Sequence, residues 1–207
     1  MAGQFGVIGC GYVGTATALH FGQMGFQVTG TTTSPSRLQE LCEIVDHPRI
    51  YRAGDSRFDA SFLDSIDGVL IAIAPTTMSM EEDQYRSVYG IGVAALVESI
   101  KARKSDRPLH VSYLSSAGVY GNQLGKICDE SSPTDRSNST NALLADAENA
   151  VLALNDLGTP SCVLRLGGIY GPNKDIASYI RSASGQMVHK NGSHINAWVH
   201  LHDIVHG

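Results

Sequence analysis

The 207-residue chain carries 15 Lys and Arg against 20 Asp and Glu, a formal charge of -5, and 43% of its residues are apolar. That length supports one well-cored domain with a small appendage, not two full enzyme lobes. The mild acidity excludes a general nucleic-acid binder, whose footprint is a basic excess, and no apolar run approaches the ~18 residues of a membrane span.

Strand-length apolar runs alternate with segments of helical period along the chain. Residues 5–8 read as a strand, 12–24 as a helix ending at Gly25, and 26–30 as the next strand. Pro35 opens a helix to about residue 45, and 49–53 form a short third strand. The continuous apolar run 69–74 is a buried strand stopped by Pro75, and a long helix spans 82–103. A strand at 109–115, a Gly/Ser/Asp-rich loop at 121–138, a helix at 141–157 and a strand at 161–166 follow. Nearly continuous apolar strands alternating with helices imply a parallel sheet covered on both faces, so an α/β, Rossmann-type doubly wound fold is expected. After Gly171 the pattern loosens. Residues 1–170 are therefore read as a dinucleotide-binding domain and 171–207 as the start of a small substrate lobe, apparently truncated.

Gly9-Cys10-Gly11-Tyr12-Val13-Gly14 is a GxGxxG turn between the first strand and the first helix. In that setting Gly9 permits the tight turn, Gly11 admits a diphosphate to the backbone, and Gly14 lets the helix pack on the sheet. The helix N-terminus then offers unpaired N–H groups, those of Tyr12 and Val13 among them, and partial positive charge. Cys10 reads as a buried filler. No Asp or Glu occurs between the second strand and Glu40, where an NAD ribose would be held; instead stand Thr31, Thr32, Thr33, Ser34 and Arg37. Hydroxyls and a guanidinium suit a 2′-phosphate, so NADP is modestly preferred over NAD. The blander reading makes Arg37 a solvated helix residue and the threonines its caps.

Several stretches resemble the extended short-chain dehydrogenase/reductase superfamily, the NAD-dependent epimerase/dehydratase group. Tyr113-Leu114-Ser115-Ser116-Ala117-Gly118-Val119-Tyr120-Gly121 is similar to its serine-rich strand end leading into VYG, and Asp129-Glu130-Ser131-Ser132-Pro133 to the loop after it. Arg165-Leu166-Gly167-Gly168-Ile169-Tyr170-Gly171-Pro172 resembles its RxxxxYGP segment, and His200-Leu201-His202-Asp203-Ile204 its later histidine–aspartate segment. Gly54-Asp55 matches the acidic position that contacts adenine, and Ile73, Ala74 and Pro75 complete the cofactor-contacting set the resemblance implies. The GxGxxG spacing departs from the group's usual GxxGxxG and suggests an atypical branch.

The resemblance implies a Ser, Tyr and Lys relay in which the phenol exchanges a proton with a substrate hydroxyl or carbonyl. Ser116 matches the serine. Aligning Glu148 with the group's helical glutamate puts Thr140 at the tyrosine and Leu144 at the lysine, and no shift of register restores the pair. Tyr120 lies in the loop beyond Ser116 and is the candidate substrate contact, against a plain packing or lid role. His200, His202, His206 and Asp203 are rich in ligand types, but His200 and His202 fall on different sides of a strand or helix, so no metal site is expected. Cys10, Cys42, Cys128 and Cys162 form no CxxC pair and no signal peptide precedes the first strand, so a reduced, cytoplasmic protein is expected. The anticipated function is that of an epimerase/dehydratase-type protein acting on a nucleotide sugar or other small hydroxyl or carbonyl compound, with a homodimer through the long helices as the macromolecular contact. Its rival is a catalytically silent dinucleotide-binding or redox-sensing module.

Overall fold

The computed structural model of the chain describes residues 2–52, 55, 60–75, 82–182, 184–185, 187 and 196–207. Strands β1 (Gln4–Ile8), β2 (Gln27–Thr32), β3 (His47–Ile50), β4 (Gly68–Ile71), β5 (His110–Ser116) and β6 (Ser161–Leu166) form one sheet in the order β3-β2-β1-β4-β5-β6. Every pairing is parallel. This is the strand order of the Rossmann-type doubly wound fold, and it reverses direction between β1 and β4.

Neighbouring residues of β1 show why both faces are covered. Val7 and Ile8 are fully buried, yet they enter different cores because side chains alternate across a strand. Ile8 joins Ile71, Tyr113, Val97 and Val151 beneath helices α4 (Val93–Lys101) and α5 (Ser139–Leu152). Val7 joins Ala18, Val28 and Leu41 beneath α1 (Tyr12–Gln23) and α2 (Leu38–Cys42).

Several boundaries differ from the sequence reading. β3 begins at His47, two residues early, because Asp46 accepts the Val28 N–H at 2.7 Å and sets the register; Ala53 lies outside the described residues. The expected helix 35–45 is a 3₁₀ turn, Pro35–Arg37, followed by the short α2. The expected helix 82–103 comprises α3 (Glu82–Tyr85), a π-helical stretch Arg86–Gly92, and α4. At the last junction the Tyr51 hydroxyl donates to the Gly92 carbonyl at 3.2 Å, a side chain inserted beside the helical ladder. α5 starts at Ser139 because Asn138 caps it, its Oδ1 accepting from the Thr140 N–H at 2.8 Å.

Beyond the sheet, β7 (Gly168–Tyr170) pairs in parallel with β8 (Trp198–His200). α6 (Ile176–Ser182) lies between them in sequence, and α7 (Leu201–His206) follows β8 and packs on α1.

Candidate functional site

The glycine turn leaves the C-terminal end of β1 and enters α1 beside β4, where the sheet order reverses. Each glycine answers a different demand. Gly9 has φ +99°, and a Cβ there would stand 2.8 Å from the Ala72 carbonyl oxygen just past β4. A Cβ on Gly14 would collide with the Gly9 carbonyl oxygen and lie 3.1 Å from Val7. At Gly11 no atom of the described residues beyond its chain neighbours stands within 4 Å of a Cβ position, so that side is open for a ligand. α1 has no acidic residue in its first turn, which leaves the positive end of the helix dipole uncompensated. A cradle whose backbone is approachable at Gly11 and faces a helix N-terminus fits a diphosphate.

The end of β2 fastens this turn. The Thr31 hydroxyl accepts the Gly9 N–H at 2.9 Å, and the Thr31 carbonyl accepts the Cys10 N–H at 2.7 Å. Thr31 is buried, so its hydroxyl braces the turn. Arg37 donates to the Cys10 carbonyl at 3.3 Å and pairs with Glu40 at 3.4 Å, which sets a half-exposed guanidinium against the glycine turn. Cys10 is buried, and burial pushes its thiol up to about 11, in keeping with a filler. Val13 is buried, whereas the Tyr12 hydroxyl donates to the Pro172 carbonyl at 2.8 Å with Lys174 lying 5.1 Å from its ring centre. Ile73, Ala74 and Pro75 follow β4; the Ile73 backbone lies beside Gly9 and its side chain packs on the core. Asp55 is half-buried after β3, and Gly54 lies outside the described residues.

Ser116 ends β5. Its exposed hydroxyl oxygen accepts the Gly118 N–H at 3.1 Å and caps the 3₁₀ turn Ala117–Tyr120. Leu144, which the sequence reading aligned with the lysine of the relay, is buried, and Thr140 lies in the first turn of α5. Tyr113 is fully buried, and its hydroxyl has no hydrogen-bond partner among the described residues. Burial pushes its titration far above the ordinary phenol range.

The sequence reading missed a buried polar network at this end of the sheet. Glu148 is 1% exposed; it accepts from the Ser115 hydroxyl at 2.5 Å and from Arg165 at 2.8 to 3.1 Å. Arg165 also donates to the Tyr120 hydroxyl at 2.9 Å, and that hydroxyl donates to the Asp129 carbonyl at 2.8 Å. The hydrogen bonds it donates to Glu148 hold the Arg165 guanidinium protonated well beyond its ordinary range. Tyr120 and Arg165 line a groove of about 1210 Å³ along the outer edge of β6, with Lys126, Leu152 and Leu164. Neither Ser116 nor any residue of the glycine turn lines it. The pairing of an RxxxxYGP arginine with the one glutamate on α5 was the signal available in the sequence.

The late histidines divide into two groups. His200 sits against Tyr170, with ring centres 4.9 Å apart, while His202 and His206 lie along α7 and meet His20 of α1. Among the described residues no group of three or more His, Cys, Asp or Glu is arranged to hold a metal ion, and no helix is long and apolar enough to cross a membrane.

A six-stranded doubly wound parallel sheet with a glycine turn at its switch point defines the class. The family model described as the NAD dependent epimerase/dehydratase family matches residues 7–207, and the chain belongs to that family. It is 25% identical over 203 residues to protein YeeZ of Escherichia coli, covering 96% of this chain and 69% of that one. Among solved structures it resembles a conserved protein of unknown function from Silicibacter pomeroyi (TM-score 0.70, 22% identity, 99% of this chain and 66% of that one). It also resembles the UDP-glucuronic acid 4-epimerase of Bacillus cereus, solved with UDP-glucuronic acid and NAD (TM-score 0.73, 18% identity, 98% and 70%). The chain thus spans about two thirds of the length of these proteins.

Proposed function

We propose that the chain binds a nicotinamide dinucleotide on the glycine turn and works on a small hydroxyl or carbonyl substrate of the nucleotide-sugar kind. The observation that carries this reading is the clear space at Gly11 in front of the α1 N-terminus, flanked by two glycines that packing forbids to grow. The backbone of Gly11, Tyr12 and Val13 would hold the diphosphate, Asp55 the adenosine side, and residues 73–75 the wall beside β4. Arg37, set against the turn, would pair with a 2′-phosphate, which makes NADP the favoured coenzyme over NAD. The coenzyme, when bound, supplies hydride exchange with a substrate carbon.

Ser116 is the residue we assign to the substrate oxygen: its hydroxyl accepts from Gly118, which leaves its own proton to donate. Tyr120 reaches a substrate only by giving up the Asp129 carbonyl, with Arg165 still donating to its oxygen. Residues 1–170 form the coenzyme-binding unit in this reading, and the β7–β8 region opens the substrate side. Four free cysteines accord with a reduced, cytoplasmic setting, and self-association through the long helices is the expected partner contact.

A second reading, a silent coenzyme-binding module, is favoured by one observation: buried Leu144 stands where the family relay needs its ammonium. Calorimetry with NADP and NAD tests the common core of both readings. Gly11→Val should leave the melting temperature unchanged and weaken binding on the order of a hundredfold, because its side chain meets only the diphosphate space. Arg37→Ala should weaken NADP about tenfold and leave NAD unchanged. A Gly11→Val protein that binds as the parent does would sink the site. A panel of nucleotide sugars, read by product analysis as well as by coenzyme absorbance, then separates enzyme from module.

A further inference from the structure

Helix α7 is seated on α1 through imidazole rings. His206 stacks on His202 with ring centres 3.8 Å apart and planes 14° from parallel, and on its other side stands His20 of α1, 4.3 Å away. We propose that this three-histidine column is a proton-operated latch, which holds α7 on α1 while the rings are neutral and releases it when they charge.

The groups around the column support that behaviour. α1 carries only Tyr12 and His20 as titratable side chains, and β8 only His200. α7 itself adds His202, Asp203 and His206. Among the described residues Asp203 is the carboxylate paired with the column, 3.7 Å from His202 Nδ1, and it can offset one imidazolium but not three. His200 turns to Tyr170 and accepts the His202 backbone N–H at 3.2 Å, so it caps α7 without joining the column. Lys174 faces Tyr12 at the opposite end of α1. His20 occupies the last turn of α1, where the dipole favours a cation. Two imidazolium rings with centres 3.8 to 4.3 Å apart would repel, so the juxtaposition opposes a second charge. His202 and His206 are exposed and His20 is half-buried, so protons reach the column without unfolding. Release also bears on the glycine turn: a Cβ on Gly171 would stand 2.9 Å from the Tyr12 hydroxyl and 3.0 Å from Leu201, which places the α7 unit against the start of α1.

The protein carries its own reporter, since Trp198 is the only tryptophan in the sequence and lies two residues before His200 on β8. Its emission should move to longer wavelength as the pH falls from about 7.5 to about 5, across the ordinary histidine range, while the far-ultraviolet circular dichroism stays constant. His20→Gln and His206→Gln should remove that transition, and His200→Gln should keep it. A parent with no transition, or one that survives both column substitutions, overturns the latch. Proton NMR of the parent's histidine rings gives a check that needs no variant: His20 and His206 must titrate over a broadened range as a coupled pair, and independent one-proton curves refute the idea. The latch stands whether or not the glycine turn holds a coenzyme, so the two readings fail separately.

Discussion

Gly11 and Gly14 show how residues of one type in one motif carry different physics. Gly14 is glycine because the neighbouring backbone fills the space of its side chain, whereas at Gly11 no described residue beyond its chain neighbours comes within 4 Å of that space. A residue that folding does not demand points to a ligand. Tyr113 is the opposite case, a phenol whose hydroxyl is buried and unpartnered among the described residues. An unsatisfied buried hydroxyl costs roughly 1–3 kcal/mol, and Tyr113→Phe removes it with almost no change of volume. The substitution should therefore leave stability unchanged or raise it by about 1 kcal/mol in urea unfolding.

At the scale of elements, the alternation of strands and helices was legible because apolar periodicity is local. Their ends were less so. Asn138 caps α5 through a side-chain contact that periodicity does not register, which is why the helix begins at Ser139 instead of residue 141. Asn138→Ala should lower stability by about 1 kcal/mol and Asn138→Asp should restore most of it, as measured by thermal unfolding. The π-helical stretch Arg86–Gly92 was also illegible, since it depends on Tyr51 arriving from the far side of β3. The same dependence moved β3 to His47, whose register is set by Asp46 holding Val28.

Across the whole molecule, the Ser115–Glu148–Arg165–Tyr120 network ties two strands, a helix and the loop after β5 into one body. Its central pair is shielded, with Arg165 19% and Glu148 2% exposed at the side chain. Glu148→Ala would strand the guanidinium and cost about 3–5 kcal/mol, while replacing both partners by apolar residues should recover much of that loss. Chemical denaturation of the two single variants and the double variant measures the coupling directly. The glycine motif and the parallel doubly wound sheet were readable from the chain alone. They are matters of residue type at short spacing, where local sterics and strand or helix period decide the outcome. Which side chains meet was left to the tertiary structure: Thr31 bracing Gly9, Arg165 held between Glu148 and Tyr120, and His20 brought to His206. Those partners stand 22, 17, 45 and 186 residues apart, and only the closing of the sheet and the packing of helices on it bring such distances to contact.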